Sequence, residues 1–107
     1  MVTDRELMEL AAKAAGYTLI GYNEETYEGI CLHKNGEEFF WNPRTDDGDA
    51  LRLAIKLEFA IRFDMGFVGV SNARIFVSEP YLMEDYPYAA TRRAIFRAAT
   101  EIGKAMP

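Results

Sequence analysis

One cysteine, one histidine and one tryptophan stand among 107 residues, with four prolines. A lone cysteine excludes an internal disulfide and fits a reducing compartment. A lone histidine leaves little from which to build an imidazole-based catalytic or metal site. There is no glycine-rich phosphate loop, no nucleophile elbow and no metalloprotease helix, so no motif points to nucleotide or hydrolase chemistry. No apolar run is long enough to span a bilayer. The opening Met1-Val2-Thr3-Asp4-Arg5 is charged from the start, unlike a secretory leader. Basic residues are outnumbered 12 to 17 by acidic ones, which leaves a formal charge of −5. That balance disfavours non-specific binding to nucleic acid or anionic lipid, so neither is expected as a partner.

What the chain does have is apolar material. Half of the residues are hydrophobic and 13% are aromatic, enough for one domain over residues 1–107 with a core that needs no staples. Thr3-Asp4-Arg5-Glu6 is a capping-box pattern. Leu7, Leu10, Ala11 and Ala14 follow at helical spacing, and Gly16 is a natural left-handed stop. Tyr17–Tyr22 reads as a short strand. Asn35-Gly36 predicts a two-residue type I′ turn. Folding about it sets Ile30 opposite Trp41 and His33 opposite Glu38. One face then gathers Ile30, Leu32, Phe39 and Trp41, and the other Cys31, His33, Glu38 and Phe40.

Pro43 closes this hairpin, and Thr45, Asp46 and Asp47 are competent N-caps for a helix over about 47–57. That helix is apolar over much of its circumference, which predicts deep burial. Phe59, Ile61 and Phe63 alternate with Ala60, Arg62 and Asp64, and a strand is favoured over a continuing helix. Phe67–Val70 and Arg74–Val77 predict a second hairpin around Ser71-Asn72-Ala73. Tyr81–Pro87 reads as a loop, and an alanine-rich helix closes the chain over about 88–105. Arg97 and Glu101 fall at a pairing distance on that helix. No repeat is evident. The expected fold is α+β: a single, largely antiparallel sheet of about four to five strands packed with three helices, an α-β-α sandwich.

The run Trp41-Asn42-Pro43-Arg44-Thr45-Asp46-Asp47-Gly48-Asp49-Ala50-Leu51-Arg52-Leu53-Ala54-Ile55-Lys56-Leu57 resembles a signature of the phage ABA-sandwich domain family. The helix around Tyr88–Ile95 with Arg97-Ala98-Ala99, and the opening helix, resemble its closing and opening helices. The resemblance covers about half the chain. It implies an α-β-α architecture, a phage or prophage origin and a bacterial cytoplasmic location, and it carries over no functional residue.

Four constellations are candidates for chemistry. Cys31, His33 and Glu38 share a predicted face and could form a nucleophile or metal site, although residues two apart on a strand lie about 6–7 Å apart. A buried thiol beside an exposed cross-strand pair is the favoured reading. Asp46, Asp47 and Asp49 with Gly48 and Glu58 hint at a calcium loop, but Leu51 and Arg52 sit where an oxygen ligand and a glycine are needed. Helix capping accounts for them better. Arg92, Arg93 and Arg97, with Tyr88, are the candidate ligand-binding residues. Tyr22, Tyr27, Phe40, Tyr81, Tyr86 and Tyr88 are aromatics beyond the needs of the core and could line a pocket or an interface.

The expected function is that of a small accessory protein acting by protein binding, with a host or phage protein or a second copy as partner. A nucleotide-like small ligand and a Cys31-dependent enzyme are the alternatives. No catalytic residue, metal or cofactor is assigned.

Overall fold

The computed structural model describes residues 2–81 and 87–107. Helix α1 spans Asp4–Ala15. Its start is the expected capping box: Thr3 Oγ1 accepts the Glu6 N–H at 3.1 Å, and Glu6 Oε1 accepts the Thr3 N–H at 3.3 Å. Gly16 ends it at φ 82°, and the Tyr17 N–H donates to the Ala12 carbonyl at 2.8 Å. That bond and the left-handed residue make a Schellman closure. Strands β1 (Thr18–Tyr22), β2 (Gly29–Leu32) and β3 (Glu38–Trp41) follow as an antiparallel meander. Helix α2 (Asp47–Lys56) is capped by Asp46, whose Oδ2 accepts the Asp49 N–H at 2.8 Å. It closes in the same way as α1. Glu58 takes φ 55° and the Phe59 N–H reaches Ala54 O at 2.9 Å. Strands β4 (Ala60–Asp64), β5 (Phe67–Ser71) and β6 (Phe76–Pro80) form a second antiparallel meander. Helix α3 (Pro87–Ala105) ends the chain, with proline at the first helical position, where its missing N–H costs nothing.

The strand expected over 59–64 is present as β4. The single sheet is not. The chain makes two separate three-stranded sheets, β1-β2-β3 and β4-β5-β6, rather than one sheet of four to five strands between helical layers. A period of two reveals strands but says nothing about which edges pair. Here each middle strand is satisfied by its neighbours in sequence, and α2 separates the two groups. A helix followed by a meander therefore occurs twice, a repeat that the residues themselves do not display. Of the expected loop at 81–87, residues 82–86 lie outside the described residues.

The first hairpin also departs from expectation. The His33 N–H donates to Glu37 O and the Gly36 N–H to His33 O, both at 2.9 Å. Only Gly36 has positive φ, at 89°, and Asn35 does not. The loop thus holds three residues, the geometry of a type I turn with a glycine bulge, not the two of a type I′ turn. Asn35 serves through its side chain, which accepts the Glu37 N–H at 3.0 Å. One extra loop residue moves the register by one. Trp41 pairs with Gly29 and Ile30 with Phe40, so β2 turns its other face inward. Cys31 and Trp41 are buried, while Phe40 is 68% exposed. In this register Gly29 lies against Leu19 and Met8: a Cβ there would stand 2.8 Å from Leu19 Cδ1 and 3.0 Å from Met8 Cε, so those side chains would have to shift to admit a larger residue.

The core runs through both halves, from Met8, Ala11, Ala12 and Trp41 to Leu53, Val68, Val70 and Ile95. Helix α3 packs on α1, α2, β5 and β6, and its alanines 90, 94, 98 and 99 are fully buried. Small side chains allow that close approach. The closest is at Gly103, where a Cβ would stand 2.1 Å from Leu10 O. Helix α2 is less buried than its composition suggested. Ala50, Leu53 and Ala54 face inward, while Leu51 and Ile55 are 54% and 65% exposed. Each sheet also keeps an open face. The first shows Ile20 and Phe40 to solvent, the second Phe67 and Phe76. No helix among the described residues is long and apolar enough to cross a membrane.

Candidate functional site

The Cys31 constellation does not assemble. The one-residue shift puts Cys31 on the helix side of β2 and pairs Leu32 with Glu38, so Glu38 lies on the opposite face. Cys31 is fully buried, and burial, reinforced by Asp49, pushes its thiol up to about 12. A protonated, inaccessible thiol is no nucleophile. His33 instead stacks on Phe39 at 4.2 Å between ring centroids, with Tyr17 edge-on to both.

The acidic loop residues are structural. Asp46 caps α2, Asp47 takes a guanidinium from Arg92, and Asp49 accepts the Asn42 N–H at 2.9 Å while pairing with Arg52. Among the described residues no group of three or more His, Cys, Asp or Glu side chains is placed to hold a metal ion.

The arginines divide. Arg92 Nε donates to Arg44 O at 3.1 Å and its Nη1 to Asp47 Oδ1 at 2.5 Å, so it ties α3 to the start of α2. Arg93 and Arg97, one helical turn apart, both reach β6. Arg93 Nε donates to Glu79 Oε1 at 3.4 Å, and Arg97 Nη1 to Glu79 Oε2 at 2.7 Å. Arg97 therefore does not pair with Glu101, which takes Lys104 instead. Tyr88 is 65% exposed and is not among the described residues that line a cavity with Arg93 and Arg97.

A residue not singled out beforehand completes the group. Arg44, in the loop between β3 and α2, lies with its guanidinium 4.6 Å above the Tyr27 ring and 5.3 Å from that of Phe96. Its Nη1 is 3.2 Å from Asp4 Oδ1 but makes no aligned hydrogen bond. Tyr27 holds its place with φ 62°, a strained value for an aromatic residue. Between these groups is a cavity of about 300 Å³, lined by Tyr27, Arg44, Glu79, Arg93, Phe96 and Arg97 among others. Among the described residues, Tyr27 is the surplus aromatic that reaches it. Burial raises the Tyr22 hydroxyl, and Arg44 pulls it partly back. Tyr86 lies outside the described residues.

A second surface has a different character. On the open face of β4-β5-β6, the register sets Phe67 between Asp64 and Pro80, Gly69 between Arg62 and Ser78, and Ser71 between Ala60 and Phe76. Phe76 leans over Gly69, where an added Cβ would meet its ring at 3.4 Å. Phe67 is 50% exposed, Phe76 70% and the adjoining Met65 93%. They border a shallow groove of about 550 Å³ that also takes in Arg62 and Asp64.

The fold defines an α+β protein of two three-stranded antiparallel sheets and three helices. Comparison with known protein families, curated proteins and solved structures gives no match.

Proposed function

We propose that the chain acts by protein binding, through the open face of β4-β5-β6, and that the first occupant of that face is a second copy of the chain. The observation that carries this is the apolar centre made by Phe67, Phe76 and Met65 on an otherwise formed sheet. Apolar side chains gathered on one exposed face mark an interaction surface. The charges on that face favour a copy of itself. Arg62 and Asp64 are two residues apart on β4 and share the outer side, so two chains related by a two-fold axis can set Arg62 of each against Asp64 of the other. The face is small. Three strands about 4.8 Å apart and five residues long at about 3.3 Å each give a patch of about 15 Å on a side, the scale of a weak, reversible contact.

On this proposal the chain is a small accessory protein. The phage or prophage origin and the bacterial cytoplasm implied by the helix resemblance are part of the proposal, and a free Cys31 thiol fits such a reducing setting. The α-β-α sandwich implied by the same resemblance is not part of it, because the sheets are two. The support is the surface, not the resemblance.

Sedimentation equilibrium tests the reading. Wild type is expected to associate with a dissociation constant in the range of about 1–100 µM, as suits a contact of this size. Arg62→Asp should weaken association at least about tenfold, a cost of about 1.4 kcal/mol. The swap Arg62→Asp/Asp64→Arg should restore it. A chain that stays monomeric throughout, or a swap no better than the single variant, overturns the proposal.

A further inference from the structure

We propose that the open face of β1-β2-β3 is a docking surface for a basic amphipathic helix of a partner protein. The register fixes what that face presents. Thr18, Leu32 and Glu38 lie side by side across the three strands, and Gly21, Ile30 and Phe40 form the next row, with Ile20 at the bulge in β1. Cys31 and Trp41 alternate with these and are buried on the other side. Gly21 lets Ile30 lie across it, since an added Cβ would meet Ile30 Cδ1 at 3.5 Å. Ile20 is 44% and Phe40 68% exposed, and Ile30 and Leu32 are half-buried. The centre of the face is thus apolar, and Glu38 is the one charge within it among the described residues.

The charge around the face selects its occupant. Residues 18–41 hold five glutamates and one lysine, a formal −4 of the chain's −5. Glu24, Glu25 and Glu28 lie in the loop joining β1 to β2, and Glu37 and Glu38 lie at the start of β3, so the two groups stand at opposite ends of the strands. All five are exposed. None enters an ion pair or a side-chain hydrogen bond among the described residues, unlike Asp4, Asp47, Glu79 and Glu101. Carboxylates without a counterpart on their own chain complement a cationic partner. They oppose a second copy, whose glutamates would face them, and equally a nucleic acid or an anionic bilayer.

The dimensions point to a helix. Strands of four to five residues, at about 3.3 Å each, set the acidic ends about 15 Å apart. Along an α-helix that distance is about ten residues at 1.5 Å each. The outer two of three strands lie about 10 Å apart, the diameter of one helix. An open sheet face is commonly covered by a helix, and an amphipathic one lays its apolar side down. The fitting partner therefore carries leucine-like side chains along one side and Lys or Arg near both ends, about ten positions apart.

This face is separate from the one proposed for self-association, and the two stand or fall independently. Titration of the ¹⁵N-labelled protein with a synthetic leucine–lysine amphipathic helix of about 14 residues, followed by amide shifts, tests it. Controls are the same peptide with glutamate for every lysine and a scrambled peptide of the same composition. The amphipathic peptide should shift Ile20, Ile30, Leu32 and Phe40 with a dissociation constant of about 10–100 µM, as suits one short helix on a small face. Both controls should bind at least about tenfold more weakly. Phe40→Ser should weaken binding at least about fivefold by removing the largest exposed apolar side chain on the face. Glu37→Lys/Glu38→Lys should weaken it at least about tenfold. All three positions are exposed, so these variants should keep the wild-type melting temperature. Arg62→Asp, on the other sheet, should leave the affinity unchanged. Absence of binding overturns the proposal, as does a scrambled peptide that binds equally or an affinity untouched by Phe40→Ser, since each reduces the contact to diffuse charge attraction. Shifts confined to β4-β5-β6 overturn it by placing the helix elsewhere. Concentration-dependent shifts of Ile20 and Phe40 in the protein alone overturn it by naming a second copy as the occupant.

Discussion

Replacing Gly103 by alanine should destabilise this protein, although alanine is the better helix former. Gly103 is buried near the end of α3, against α1. A Cβ there would stand 2.1 Å from Leu10 O, 2.7 Å from its carbonyl carbon and 3.1 Å from its Cα. Ordinary contact begins near 3.4 Å, so the two helices must part by more than an ångström. The obstacle is backbone and cannot swing aside. Parting α1 and α3 also loosens the contacts of Met8, Ala11, Ala12 and Ala99, all fully buried. Overpacking of this kind costs about 1–3 kcal/mol or more, and three backbone contacts place it at the upper end. The gain in helix propensity is at most about 1 kcal/mol, and less so close to the helix terminus. The net loss is therefore about 2–3 kcal/mol, or roughly 10 °C or more in Tm for a domain of this size. Urea denaturation followed by circular dichroism measures it, with Lys104→Ala as the neighbouring surface control. A Gly103→Ala protein as stable as wild type, or more so, would refute the close crossing of α1 and α3.

Other consequences are more local. Glu58 occupies the left-handed position that Gly16 fills at the end of α1, so Glu58→Gly should stabilise by about 0.5–1 kcal/mol in the same denaturation assay; a loss would contradict the assigned closure. The Cys31 thiol should resist an aromatic disulfide reagent at pH 8 in the folded protein and react only on unfolding, whereas rapid labelling would show it accessible. Its pKa is raised from 9.0 to about 12 on folding, so the unfolded chain gives up the proton first as pH rises. The stability linked to that proton is complete below pH 9 and falls between about 9 and 12, by up to about 1.4 kcal/mol per pH unit. Cys31→Ala should flatten that part of the pH profile, and an unchanged slope would rule the thiol out as its source.

What the sequence made legible was mainly local. Thr3, Glu6, Gly16 and Asp46 act within a few residues of themselves, so their capping roles could be read directly. Asn35-Gly36 correctly placed a turn, but loop length depends on which of the two residues takes positive φ. Here Gly36 alone of the two takes it, and the shifted register sets Gly29 against Met8, which is distant in sequence. The joining of strands into sheets is equally non-local, and one sheet was the economical guess for two hairpins. At the cleft, Arg93 and Arg97 were visible because one turn of helix aligns them. Arg92, next in sequence, points about 100° away around the helix and serves α2 instead. Glu79 and Arg44 come from other elements, and only the fold brings them to the same cavity. Tyr27 was noticed as a surplus aromatic, a weak signal that happened to lie at the site.

The open face of β4-β5-β6 is best probed by isotope-filtered nuclear Overhauser spectroscopy on a mixture of labelled and unlabelled chains at high concentration. Intermolecular cross-peaks from the Phe76 ring to Phe67 and Met65 of the other copy are the predicted result. Their absence, or intermolecular cross-peaks confined to Ile20 and Phe40 on the first sheet, would contradict the account.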